Sequence, residues 1–162
     1  MPNLIRDRKL VDDDTWTHLD DEQPVPASGD VTVSWQRWQA EADTLRNRDG
    51  RLGVRLDGDV PVEELAGLTE LPLIALHFPA FKDGRCYSHA RLLRSRHGYA
   101  GEIRAIGDVL RDQLAYMERC GINAFEIRED RSADEALQAF DEFSVDYQGR
   151  SERPFPLRLR RS

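Results

Sequence analysis

A chain of 162 residues that is 40% hydrophobic and 33% charged has the length of one domain and the composition of a soluble globular protein, not of a disordered one. Its net charge of −7 excludes general nucleic-acid binding, no apolar run approaches the roughly 20 residues that span a bilayer, and MPNLIRDRKLVDDD at the amino terminus lacks the pattern of a secretory signal. The two cysteines, Cys86 and Cys120, form no CxxC pair and no zinc-ligand spacing, which excludes a disulfide framework or cysteine-held cluster and leads us to expect a cytoplasmic protein.

In chain order, Leu4 to Trp16 reads as a small hairpin, two apolar patches flanking a polar turn at Asp7 to Lys9. The acidic stretches Asp12 to Asp14 and Asp20 to Glu22 follow, and Pro24, Pro26 and Gly29 make a loop. This part carries no catalytic spacing and reads as a structural edge or cover. Val31 to Val33 is β-branched and predicts a brief strand. Ser34 then caps a helix whose apolar positions Trp35, Trp38, Ala42 and Leu45 recur at helical steps, a stripe that reads as core packing. Arg51 to Leu56 alternates as a strand does, and Pro61 with Glu63 and Glu64 opens a short helix through Leu65. Leu71 to Phe78 is a near-continuous apolar run, as a central strand covered on both faces requires.

The spacing predicts a helix from Ser88 to a left-handed cap at Gly98, a strand over Glu102 to Ile106, and a longer helix capped by Asp108 and ending at Gly121. Asn123 to Ile127 reads as a strand, Ser132 and Glu135 as a capping box, and Val145 to Tyr147 as a final strand. The expected fold is therefore α/β: a mostly parallel sheet of about five or six strands built from βαβ units, an open sheet or a partial barrel, with a small N-terminal hairpin. Residues 1–148 are expected to form a single domain (1–30 being the hairpin and loop), and 149–162 a basic, flexible tail.

Ligands in such folds gather at the carboxyl ends of parallel strands. The stretch from Lys82 to Arg111 holds seven basic residues (Lys82, Arg85, Arg91, Arg94, Arg96, Arg104, Arg111) against three acidic ones (Asp83, Glu102, Asp108) in an otherwise acidic chain. Two loops there invite an anion. One follows Phe78 and offers Lys82, Asp83, Arg85, Tyr87, Ser88 and His89; the other follows Ile106 and offers Asp108, Arg111 and Asp112. Helix starts attract negative charge, a guanidinium such as Arg85 forks onto an oxyanion, Ser88 adds a donor, and Arg91 lies one turn further along. Asp83 and Asp108 are the candidate acid–base groups.

Other chemistries have weaker support. There is no GxGxxG and no P-loop, so no cofactor is evident. His89 and His97 are poorly spaced for a metal, and none is expected. Cys86 lies beside Arg85 and near His89 but lacks a peptidase-type surround. His77 either points into the site from the strand end or is a core histidine. Cys120 reads as a small buried residue.

The text FPAFKDGRCYSHARLLR at Phe78 to Arg94 and GEIRAIGDVLRDQLAYMERCGINAFEIR at Gly101 to Arg128 resembles a bacterial family catalogued as domain of unknown function 934, with RLGVRL and FSVDYQ similar to its flanking elements. Cys86 departs from it, standing where the family pattern DGRGYS has glycine, which weakens any essential-thiol reading. The resemblance implies a companion of assimilatory sulfur metabolism, encoded beside a sulfite reductase haemoprotein and a phosphoadenylyl-sulfate reductase, and labelled an oxidoreductase by that association and not by a site. The expected function is an accessory protein of sulfate and sulfite reduction that binds an oxyanion or sulfonucleotide, or docks on the sulfite reductase with its basic face. The alternatives are a small oxidoreductase with a borrowed or bound cofactor and a pure interaction module.

Overall fold

The computed structural model describes residues 3–78, 85–109, 113–127, 135–138 and 140. Strands β1 (Leu4–Arg6), β2 (Lys9–Val11), β3 (Trp16–His18), β4 (Asp30–Ser34), β5 (Leu52–Leu56), β6 (Leu73–Phe78), β7 (Glu102–Gly107) and β8 (Ala124–Glu126) join one sheet in the order β2-β1-β8-β7-β6-β5-β4-β3. From β3 to β8 all neighbours are parallel, whereas β1 is antiparallel to both β2 and β8. The expectation of a mostly parallel sheet of five or six strands is thereby corrected to a mixed sheet of eight. The expected N-terminal hairpin is present, turned through Asp7 and Arg8 at positive φ, and it forms one edge of the sheet, pairing through β1 with β8. β3 escaped the sequence reading because three residues inside an acidic loop are too few to display a two-residue period.

The sheet is curled into a half-barrel. Eight flat strands about 4.8 Å apart would put the outermost pair about 34 Å from each other. Yet β2 and β3, the two edges, are joined by the short link from Val11 to Trp16, which at full extension reaches no more than about 18 Å. Side chains confirm the curl: His18 Nε2 on β3 lies 2.7 Å from Glu126 Oε2 on β8, although four strands intervene.

Strand alternation sorts residues onto two faces. The convex face is apolar: Ile5, Val31, Val33, Val54, Leu56, Ile74, Leu76, Ile103 and Phe125 form the core. Helices α1 (Trp35–Arg46), α2 (Arg85–Ser95) and α3 (Leu114–Arg119) and the 3-10 helix Val62–Leu68 supply further core residues, among them Trp38, Leu45, Leu65, Ala90, Leu93 and Met117. Trp38 and Leu45 are buried, so the tryptophan-bearing stripe is indeed packing. The register pairs place Asp30, Thr32, Gly53, Arg55, Leu73, Ala75, His77, Glu102, Arg104, Ile106, Ala124 and Glu126 on the concave face.

Local signals mostly hold. Ser34 Oγ accepts from the Arg37 amide at 3.1 Å as the cap of α1. Gly98, at φ +64°, follows α2, and the Tyr99 amide returns to the Leu93 carbonyl at 2.8 Å. One helix start differs: α2 already includes Arg85, so Ser88 lies within its first turns; α3 is described from Leu114 behind Gln113, and residues 110–112, which a cap at Asp108 would serve, lie outside the described residues. Ser132 of the expected capping box, the strand expected at Val145 to Tyr147 and the tail lie outside the described residues.

Gly53 shows how little room the ladder leaves on the concave side. A Cβ there would sit 2.8 Å from the Leu73 carbonyl oxygen and 3.0 Å from Leu73 Cβ. Gly53→Ala is expected to cost about 1–3 kcal/mol by forcing β5 and β6 apart. Urea unfolding measures this, and an unchanged midpoint would contradict it.

Candidate functional site

The concave face carries the unusual chemistry. Arg104, in the middle of β7, is fully buried and faces Ala75 and Ala124 on the neighbouring strands, so small side chains leave space for a large one. Three carboxylates from separate parts of the chain meet it. Nε donates to Glu102 Oε2 at 2.9 Å, Nη1 to Glu126 Oε2 at 2.9 Å, and Nη2 to Asp14 Oδ1 at 3.0 Å. Arg6 Nη1 adds a bond to Glu102 Oε1 at 3.3 Å. Burial alone would lower the Arg104 pKa; the Asp14 bond and the fields of Glu102 and Asp14, with the bond to Glu126, more than reverse this, and the guanidinium is held firmly charged.

The network continues across the half-barrel. Glu126 Oε2 meets His18 Nε2, His18 Nδ1 lies 2.7 Å from Thr32 Oγ1, and Thr32 Oγ1 accepts from Arg55 Nη1 at 2.8 Å. Arg55 also donates to the carbonyls of Thr32 (2.9 Å) and Leu19 (2.5 Å). Desolvation lowers its pKa, only partly offset by the fields of Asp21 and Asp20. Among the described residues no carboxylate forms an ion pair with Arg55. It is the half-buried cation of this face whose bonds all go to neutral oxygens.

Arg55 also borders a cavity of about 160 Å³, lined by Ser34, Gln36, Arg55, Leu56, Asp57, His77 and Ile106. These residues stand at or just beyond the carboxyl ends of four adjacent parallel strands, β4 to β7, which is the rim where ligands of such folds collect. His77 is exposed on the concave face there; its side chain is not in the core.

The residues singled out from the sequence are dispersed. β6 and β7 are parallel neighbours, so the loops following Phe78 and Ile106 do leave from one rim. Arg85 is exposed and its Nη1 donates to Asp59 Oδ1 at 2.9 Å. Tyr87 packs between Phe78 and Tyr116, and Arg91 donates to the Tyr116 hydroxyl at 2.7 Å. Ser88 is exposed and Asp108 half-buried. His89 is buried with Nε2 2.9 Å from the Val60 carbonyl, which ties α2 to the chain before the 3-10 helix. Lys82, Asp83, Arg111 and Asp112 lie outside the described residues. Arg94 belongs to the structure: its Nη1 donates to the carbonyls of Tyr99 and Gly101 and its Nε to that of Gly121. Cys86 is buried with Sγ 3.3 Å from the His77 carbonyl oxygen, and burial pushes the Cys120 thiol up.

The sequence reading missed Asp14, His18, Thr32, Arg55 and Glu126. A signal existed for some of them. In RLGVRL, EIRAIG and AFE the polar residues occupy alternate positions of strands that are otherwise apolar, and such positions share one face.

Curled sheet, outer helices and charged interior define an α/β half-barrel protein with a cavity at its carboxyl-terminal rim. No helix among the described residues is long and apolar enough to cross a membrane. The chain belongs to the family described as bacterial protein of unknown function (DUF934), whose profile matches residues 53–158. No curated protein and no solved structure matches it significantly. The matched segment includes Arg55, His77, Glu102, Arg104 and Glu126, whereas Asp14, His18 and Thr32 precede it.

The charged network sets an acid limit. Burial alone would raise the Glu126 pKa, but hydrogen bonding from His18 and Arg104 brings it below the usual 4.5. Because the folded pKa is depressed, this stabilisation is present above about pH 4.5 and is lost as pH falls through the folded value. Urea midpoints are expected to fall below that pH in the wild type and less steeply in Glu126→Gln; equal slopes would contradict the assignment.

Proposed function

We propose that the protein is a cytoplasmic accessory protein of assimilatory sulfite reduction that holds a small oxyanion at the carboxyl-terminal rim of the half-barrel. The observation that carries this reading is Arg55, a residue that lines the rim cavity and whose half-buried guanidinium donates only to neutral oxygens. A partly desolvated cation that no carboxylate contacts directly gains from a bound anion, and a planar guanidinium suits the oxygen spacing of sulfite or sulfate. His77 and Gln36 add exposed polar groups on the same cavity wall. Asp57, directly after β5, also lines it and disfavours an anion on its own side, which argues for binding toward His77 on β6.

The volume favours an oxyanion over a sulfonucleotide. About 160 Å³ is smaller than the roughly 300 Å³ at which ligand pockets for larger molecules begin. Arg85 and Ser88, in the first turns of α2 after β6, are the residues through which a larger ligand or the partner would be met. The partners implied by the family setting are the sulfite reductase haemoprotein and the phosphoadenylyl-sulfate reductase.

Calorimetric titration tests this reading with sulfite, sulfate and adenosine 3′,5′-bisphosphate. The two inorganic anions are expected to bind, with affinity reduced about tenfold or more in Arg55→Met and also reduced in His77→Ala. His77 is exposed, so the second variant keeps the test interpretable if the first is unstable. No heat with sulfite or sulfate would overturn the oxyanion reading, and binding of the nucleotide alone would replace it with the sulfonucleotide one.

A further inference from the structure

The hydrogen-bond chain behind Arg55 has a direction. We propose that Thr32, His18 and Glu126 form a one-way relay that positions Arg55 for its ligand, making Thr32 and His18 positioning residues; this deepens, and rests on, the oxyanion reading of the rim.

The argument is an accounting of hydrogens. A guanidinium can only donate, so at the 2.8 Å contact Arg55 Nη1 is the donor and Thr32 Oγ1 the acceptor. Thr32 is fully buried, and its hydroxyl hydrogen needs an acceptor of its own. Among the described residues the partner left for it is His18 Nδ1, at 2.7 Å. His18 must then accept at Nδ1 and carry its hydrogen on Nε2, from which it donates to Glu126 Oε2 at 2.7 Å. Glu126 ends the chain as a carboxylate, which can only accept, and the same oxygen takes a second bond from Arg104 at 2.9 Å. Each atom is satisfied in this direction: Arg55 to Thr32, Thr32 to His18, His18 to Glu126. With a hydrogen on Nδ1 instead, Thr32 Oγ1 would receive two donors and its own buried hydrogen would lose its acceptor.

The relay fixes where Arg55 points. Across the ladder Arg55 pairs with Ser34, and Thr32 pairs with Gly53, so Arg55 leans back along the sheet to reach the Thr32 hydroxyl and carbonyl. Gly53 has no side chain to compete for that space. The groups facing the imidazole come from several elements: Glu126 from β8, Thr32 from β4, with Arg104 from β7 and Arg55 from β5 each one bond further away.

The test has two arms. Two-bond proton–nitrogen correlation spectra of the full chain, with His18→Gln to assign the signal, report the tautomer directly. The relay requires the Nε2–H form near pH 7; an Nδ1–H form or an imidazolium overturns it. In the second arm, sulfite titration is expected to show about tenfold weaker binding for Thr32→Val, with Thr32→Ser within about twofold of wild type. Wild-type affinity in Thr32→Val overturns the positioning role even if the tautomer is correct. Should Thr32→Val fail to fold, an Nδ1–H tautomer in the wild type or a Thr32→Ser affinity far from wild type still overturns it. If the wild type binds no oxyanion while the tautomer is as stated, the oxyanion reading and the positioning role both fall and the relay is purely structural.

Discussion

One buried guanidinium organises the inside of this protein. Arg104 has no exposed surface, and its charge is acceptable there because Asp14, Glu102 and Glu126 bring three carboxylates to it from the N-terminal link, β7 and β8. A cation in that position without its partners would cost several kcal/mol, and so would the carboxylates without the cation. The mutual dependence explains why segments more than a hundred residues apart in sequence are drawn together. The sheet curls because its two edges share a short link and because side chains from β3 and β8 meet over the same concave face.

That arrangement divides the sheet by function. The convex side is an ordinary apolar core, closed by helices. The concave side is charged, paired in its interior and open at the carboxyl-terminal rim. Across the sheet from Arg104, at the same level of the ladder through Ala75, the charge balance changes: Arg104 is surrounded by carboxylates, while Arg55 donates only to hydroxyl and carbonyl oxygens. The rim cavity borders Arg55 on this side of the sheet. The scaffold and the proposed anion site are two ends of one network, joined through Thr32 and His18.

The elements visible in the sequence were those with long-range periodicity or strong caps. Leu73 to Phe78 reads as a central strand because it is apolar on both faces, and Ser34 and Gly98 mark their helix ends by local chemistry that needs no tertiary context. β3 was illegible for the opposite reason: Trp16 to His18 becomes a strand only because the curled sheet offers it an edge. The cluster of arginines from Lys82 to Arg111 was a true feature of the sequence, but proximity along the chain misled. Arg94 serves carbonyls, Arg91 a tyrosine, Arg85 Asp59, and Arg104 faces the interior. The concave network was partly legible, since Arg55, Glu102, Arg104 and Glu126 alternate with apolar residues in their strands. Its N-terminal contributors were not, because Asp14 and His18 sit in a polar segment whose spacing signals nothing until the sheet closes.

Amide hydrogen exchange on Arg104→Met, compared with the wild type under native conditions, tests the central role of this guanidinium most directly. If Arg104 holds the half-barrel closed, protection is lost together at the link 12–15, in β3 at Trp16–His18 and in β8 at Ala124–Glu126, while β5 and β6 keep theirs. Changes confined to β7, with β3 and β8 protected as in the wild type, would contradict the account.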